Sequence, residues 1–321
     1  MPDLRRVAIT LEIELPYEWH QQVYIGTQRY AQEAGNWRCV IDESPGGRLA
    51  KARKGAVPYD GVIARAGTAL ARHAKRLALP LVNTWYNSPA KGLTNVFSDD
   101  LAGARLCAEH LMDRGFKRFA FIAPARDSLY QLMMEVFRQR LAESGIDNCP
   151  AMRFVSKEVW DDAAWTRHRE KLRAFIDRLE PPVGVVAFNP LCARQVIHHC
   201  HDKGWAVPQD VAVITDTPSQ MVTHAPSPSI TCIDTNMERV GYEAARLLDR
   251  MMAGEPAPRP AERHPHPLPA CGEHSAGSPA SRGAPVPPSP NGTLASRPRS
   301  YATSAAHAGH TTPEVLQRGH E

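Results

Sequence analysis

At 321 residues, with 43% hydrophobic side chains, the chain is long enough for two domains of ordinary size and apolar enough to give each a core. A formal charge of +4 is too weak to name a nucleic-acid partner by itself. No apolar run approaches a membrane span, and the opening MPDLRRVAITLEIEL lacks the features of an export signal, so a cytoplasmic protein is expected. Seven cysteines, without a C-x-x-C pair, lie mostly in apolar surroundings and read as reduced core thiols.

In chain order, strands and helices alternate. Val7 to Ile13 reads as a buried strand, Trp19 to Ala34 as a helix with Val23, Gly26, Thr27 and Tyr30 on one face, and Trp37 to Ile41 as a second strand. A Pro-Gly-Gly turn and a basic amphipathic piece (Lys51, Arg53, Lys54) lead to strand Tyr59 to Ala64, helix Leu70 to Leu77 and strand Leu79 to Thr84. The stretch FSDDLAGARLCAEHLMDRGFKRFAFIA, Phe97 to Ala123, is a helix followed without slack by a strand. Asp99 stands at the N-cap, Ala104, Cys107, Ala108 and Leu111 recur at helical spacing, and Gly115 closes the helix.

Beyond it come a helix from about Leu129 to Ser144, a strand near Met152 to Val155, and a helix from about Ala163 to Leu179. Strand Val183 to Phe188, helix Cys192 to Lys203, strand Val211 to Thr215 and strand Ile230 to Ile233 follow. In the last helix Thr235 and Glu238 are spaced as a capping box, and Met237, Val240, Ala244, Leu248 and Met251 line one face. This alternation predicts an α/β protein with parallel sheets and a ligand crevice at the strand ends.

From Ala257 to Glu321 there is no Ile, Phe, Trp, Met, Lys or Asp, and a disordered low-complexity tail is expected. The abrupt change of composition is what a GC-rich gene read out of frame would produce. His198 and His201 share a helix face but make a weak metal signal, and G-x-S-x-G, H-E-x-x-H and phosphate-loop motifs are absent. No enzyme activity, metal or cofactor is expected.

Phe97 to Ile122 resembles the first signature block of the effector domain of the lac-repressor/galactose-repressor family. PPVGVVAFNPLCARQVIHHCHDKGWAVPQDVAVI and PSPSITCIDTNMERVGYEAARLLDRMMAGEPAP resemble its second and third blocks, in the same order. The segments VYIGTQRYAQEAGNWRCVIDES, YDGVIARAG and FKRFAFIAPA are similar to regulators of the xylose-operon type, in which a sensor precedes a C-terminal AraC-type DNA reader.

The resemblance implies two Rossmann-like lobes of the periplasmic-binding-protein-like kind within residues 1–256. Lobe 1 would take about 1–123 and 230–253, lobe 2 about 124–229, and residues 257–321 the tail. It further implies a sugar effector, a pentose or a relative of one, and a homodimer for which Leu70 to Leu77 and Ala104 to Leu111 are candidate contacts. DNA would be bound only through a domain missing from this sequence. The alternative is a solute-binding receptor of the same fold.

Carried over by position, the effector candidates are Glu14, Trp19, Asn83, Trp85, Asp99, Asn189 and Asp216. Carboxylates and amides bond paired hydroxyls, and aromatic faces cover a sugar's apolar side. Asp99 and Asn189 have an ordinary capping role open to them, and the tryptophans an ordinary packing role. Met133 stands where the family pattern carries an arginine, and Asp216 is placed to make up a lost carboxylate.

Overall fold

In a computed structural model, residues 4–13, 18–154, 162–216, 220–223 and 228–258 are described. The first sheet is built from β1 (Arg5–Thr10), β2 (Trp37–Ile41), β3 (Gly61–Ala64), β4 (Leu81–Asn83) and β5 (Thr94–Asn95). Its order is β2-β1-β3-β4-β5, and every pairing is parallel. Helices α1 (Glu18–Ala34), α2 (Gly46–Lys51) and α3 (Thr68–Leu77) connect the strands.

The second sheet has the order β10-β9-β8-β6-β7 and is also parallel throughout. Its strands are β6 (Phe119–Pro124), β7 (Ala151–Phe154), β8 (Val183–Ala187), β9 (Val211–Thr215) and β10 (Thr231–Cys232). Helices α4 (Asp100–Asp113), α5 (Ser128–Ala142), α6 (Asp162–Ile176), α7 (Pro190–Asp202) and the short α8 (Gln220–Thr223) accompany it. The last helix, α9 (Met237–Met252), returns to the first sheet.

Period-two alternation sorts the side chains between two covered faces on each sheet. In β1, Val7 and Ile9 join Val23 of α1 and Val240, Ala244 and Leu248 of α9, while Ala8 faces Leu70 and Leu77 of α3. In β6, Phe119, Phe121 and Ala123 pack with α4 and α5; Ala120 and Ile122 pack with α6 and α7. Helices α1 and α9 touch backbone to backbone, since a β-carbon at Gly26 would collide with the Glu238 carbonyl and one at Gly241 with that of Val23. The Asp249 carboxylate then binds three groups from the first lobe: Arg5 Nη1 at 2.5 Å, Trp37 Nε1 at 2.9 Å and the Tyr30 hydroxyl at 3.1 Å.

Several expectations are corrected. The lobe boundary lies before α4, not at residue 124, because β6 pairs with β7 and β8 and α4 packs on the same sheet. Likewise β10 pairs with β9, so the chain returns to the first lobe only after Ile233. Thr235 and Glu238 form no capping box. The N-cap is Asn236, at φ 51° in the left-handed region, its amide bonded to Asp234 Oδ1 at 2.8 Å, and Glu238 instead pairs with Arg29 at 3.2 Å. The apolar stripes of α3 and α4 are buried in their own cores, so any partner contact through these helices would use their other faces. Cys271 and residues 259–321 lie outside the described residues.

Candidate functional site

Because the strands within each sheet are parallel, their carboxyl ends share one edge, and the loops leaving them build the site. In the first lobe β3 ends at Ala64 and presents Arg65. Its guanidinium lies between two indoles, 5.3 Å from the Trp19 ring and 4.6 Å from the Trp85 ring, and forms an ion pair with Glu12. Each cation–π contact contributes about 0.5–2 kcal/mol, depending on desolvation. The stack holds both half-buried tryptophans as walls standing over the strand ends. His20, one residue on from Trp19, is buried, with Nδ1 2.9 Å from the Glu12 carbonyl oxygen; burial lowers its pKa below the ordinary value.

Asn83 differs from the expectation. It is fully buried, Oδ1 accepts from the amides of Ala66 (3.0 Å) and Trp85 (3.2 Å), and Nδ2 donates to the Trp85 carbonyl (2.9 Å) and Asn95 Oδ1 (2.8 Å). All four hydrogen-bonding positions of the amide are filled, leaving nothing for a ligand. Asn83 is a strut that sets the Trp85 loop.

In the second lobe the Tyr130 hydroxyl reaches from the first turn of α5 to two strand ends, donating toward Asp216 Oδ2 at 2.5 Å with the Phe188 carbonyl 2.9 Å away. Burial, and then the Asp216 charge, push the phenol well above its ordinary pKa, so it remains a donor. Asp216 is buried at the end of β9. Phe188 packs against Tyr130 and Phe154, with ring centroids 6.0 and 4.6 Å apart.

Asp99 and Asn189 are N-caps, their Oδ1 atoms accepting from Ala102 N at 3.0 Å and Cys192 N at 2.8 Å. For both, the capping role weighed in the sequence is filled. Met133 is buried in the second-lobe core, so the position where the family pattern carries arginine is occupied by packing. Glu14 lies outside the described residues. Arg65 was missed by the sequence reading; a charged residue directly after the apolar run VIA of YDGVIARAG, one residue past its strand as Asp216 is past β9, was the available signal.

The two halves meet. Asn87, two residues past Trp85, donates from Nδ2 to Asp127 Oδ1 at 2.8 Å and accepts from the Ser128 hydroxyl at 2.5 Å. Asp127 caps α5, accepting from the amides of Leu129 and Tyr130, so the Trp85 loop is fastened to the turn that carries Tyr130. Asp100, the first residue of α4, has its carboxyl pushed up to about 6, chiefly by burial, with Asp99 and Asp127 adding to the rise and the Ser98 hydroxyl opposing it. A separate cavity of about 190 Å³ beside Val207, Gln209, Ala212 and Thr231 sits toward the amino ends of the second sheet. Among the described residues, no three His, Cys, Asp or Glu side chains come together to hold a metal ion.

This arrangement of two parallel sheets coincides with a known family. Residues 108–269, half of the chain, match the model of the periplasmic binding protein-like domain. The chain belongs to that family. Among curated relatives, the xylose operon regulatory protein of Escherichia coli K12 is 24% identical over 271 residues, covering 79% of this chain and 66% of its own length. The HTH-type transcriptional regulator CelR of Thermobifida fusca is 26% identical over 168 residues, covering 52% of this chain and 48% of its own. The chain thus spans about half to two thirds of these relatives.

A solved structure of the xylose-binding transcription activator xylR superposes with a TM-score of 0.65 at 22% identity, covering 82% of this chain and 67% of that one. A CelR–cellobiose complex superposes with a TM-score of 0.61 at 21% identity, covering 81% and 82%. At such identities these likenesses establish the fold. Among the described residues, no helix is long and apolar enough to cross a membrane.

Proposed function

We propose that this periplasmic binding protein-like chain is the effector-sensing part of a transcriptional regulator of carbohydrate metabolism, of the xylose-regulator type. Its effector is a small sugar, a pentose or a relative of one, taken up between the lobes. The observation that carries this reading is the furnishing of the strand ends in both lobes: Trp19 and Trp85 held on Arg65 in one, Tyr130 bonded to Asp216 in the other. Aromatic faces suit the apolar side of a sugar ring, and the fixed carboxylates suit its hydroxyls. The curated relatives named as transcription regulators support the same reading. The protein acts as a cytoplasmic homodimer, and sequence-specific DNA reading falls to a module outside this sequence.

The test is a thermal-shift screen of the full chain against pentoses, hexoses and their phosphates. A sugar at a hundredfold excess over its dissociation constant stabilises the fold by about 2.7 kcal/mol. The shift disappears in Trp85→Ala while the unliganded transition remains. Absence of a shift with every sugar, in a protein that melts cooperatively, would refute the proposal.

A further inference from the structure

Between Pro45 and Phe97 the sequence holds nine lysines or arginines and one carboxylate, Asp60. Three of the nine are engaged inside the fold. Arg48 pairs with Asp42 at 2.7 Å, Arg65 with Glu12, and Arg76 donates to the carbonyls of Leu49 (2.7 Å), Ala50 (3.2 Å) and Ala52 (3.1 Å), fastening α3 to the end of α2. Asp60 accepts from the Arg6 amide at 2.6 Å and is given over to the sheet.

The other six are exposed: Lys91 in the loop before β5, and the five cations Lys51, Arg53, Lys54, Arg72 and Lys75, which among the described residues make no ion pair or side-chain hydrogen bond. Much of the charge elsewhere is matched, as in Arg29 with Glu238, Arg105 with Glu143 and Lys203 with Asp177. The five cations share one region. Lys51 ends α2; Arg53 and Lys54 stand in a tight turn closed by the Arg53–Ala56 bridge, with Gly55 at φ 86°; and Arg72 and Lys75 lie one turn of α3 apart. Lys51, Arg53, Lys54 and Lys75 sit toward the amino ends of the first sheet, the end away from the effector crevice. A shallow groove rimmed by Arg48 and Lys51 and floored by Ala52, Ala56, Val57 and Pro58 runs between them.

We propose that this face of the first lobe contacts the phosphate backbone of duplex nucleic acid without reading its sequence. The chemistry of the face selects that partner. A protein interface draws its affinity from aromatic and large apolar anchors, and a single-strand site from aromatic stacking platforms. None of the exposed large apolar side chains falls between Pro45 and Phe97, and Tyr59 is buried with its hydroxyl on Asp42. What remains is cationic charge at intervals, which is what a duplex backbone requires. The site is independent of the effector reading, since no crevice residue belongs to it.

The experiment measures binding of a labelled random-sequence duplex to the full chain as salt is raised. Four or five phosphate contacts predict about a 150- to 500-fold loss of affinity between about 50 and 200 mM salt. Joint substitution Lys51→Gln, Arg53→Gln, Lys54→Gln and Lys75→Gln removes most of the binding at low salt and flattens the salt slope by about 3–4. All four side chains are exposed, so the thermal transition is unchanged. A matched variant on and beside α6, with Arg167, Arg169, Arg173 and Arg178 changed to Gln, retains the wild-type affinity and slope. No duplex binding by the wild type, equal loss in both variants, or capture only of single strands would overturn the proposal.

Discussion

Replacing Asp100 by Asn should stabilise the protein above neutrality and do nothing near pH 4. Burial lifts this carboxyl from 3.8 to about 6, and its acidic neighbours Asp99 and Asp127 add to the rise. A lift of about two units corresponds to at most about 3 kcal/mol against the ionised form, and because the side chain is partly open to solvent about 1–2 kcal/mol is the realistic figure. In the window between these values the folded protein holds a proton that the unfolded chain has released. The favourable contribution is therefore complete below about pH 4 and is lost as pH rises through about 6. Asn is neutral throughout and can still accept the Ser98 hydroxyl, which stands 2.8 Å from Asp100 Oδ1. Urea unfolding of both proteins from about pH 4 to about pH 8 should give midpoints that converge in acid and separate in base, with the variant higher. A difference that is constant with pH, or a variant less stable at neutrality, would refute the reasoning.

Two further outcomes test the first lobe. Gly241→Ala must push α9 away from α1, because its methyl group would meet the Val23 backbone rather than a movable side chain; a loss of about 1–3 kcal/mol is expected in denaturant unfolding, and a neutral result would mean the helices are not in backbone contact. Asp249→Ala leaves Arg5, Tyr30 and Trp37 without their common acceptor and should cost about 2–4 kcal/mol, while the pKa of Tyr30, now about 12, falls toward its ordinary value in a spectrophotometric titration.

Strands fully buried by helices on both faces were legible, because an unbroken apolar run has few other uses. Val211–Thr215 falls where the sequence puts it, and so does the edge strand Trp37–Ile41, although it is only partly buried and carries Arg38. The two-residue β5, Thr94–Asn95, was not legible, since nothing apolar marks it and it exists through pairing with β4. The lobe boundary was misplaced for a related reason: a helix followed by a strand does not state which sheet the strand will join. Its pairing with β7 and β8, and with it the packing of Phe119 and Phe121 on Phe137 of α5, decides that. The candidate site was half legible. Strand-end residues were the right places to look, but an asparagine at such a place serves equally as strut, cap or ligand, and Asn83 shows that only its partners tell them apart.

The connections between the lobes bear on how a ligand would act. Among the described residues the chain passes between the two sheets twice, after β5 and after β10. The second passage enters α9 through Asn236, a non-glycine residue held at φ 51° and pinned by Asp234. Besides these passages, the lobes are joined near the crevice by the hydrogen bonds of Asn87 with Asp127 and Ser128, which need no ligand. Two crossings permit rotation of one lobe against the other, and a polar latch of two bonds opposes it only weakly once water can replace each partner. A molecule that touched Trp85 alone would bind without shifting that equilibrium. One that touched Trp85 and Tyr130 together would, by its differential affinity, favour whichever arrangement brings both within reach. Any signal from the crevice must then leave through elements that differ between the two arrangements. The Asn236 passage into α9 is a candidate for such an element, tied on one side to β10 and on the other to the backbone of α1.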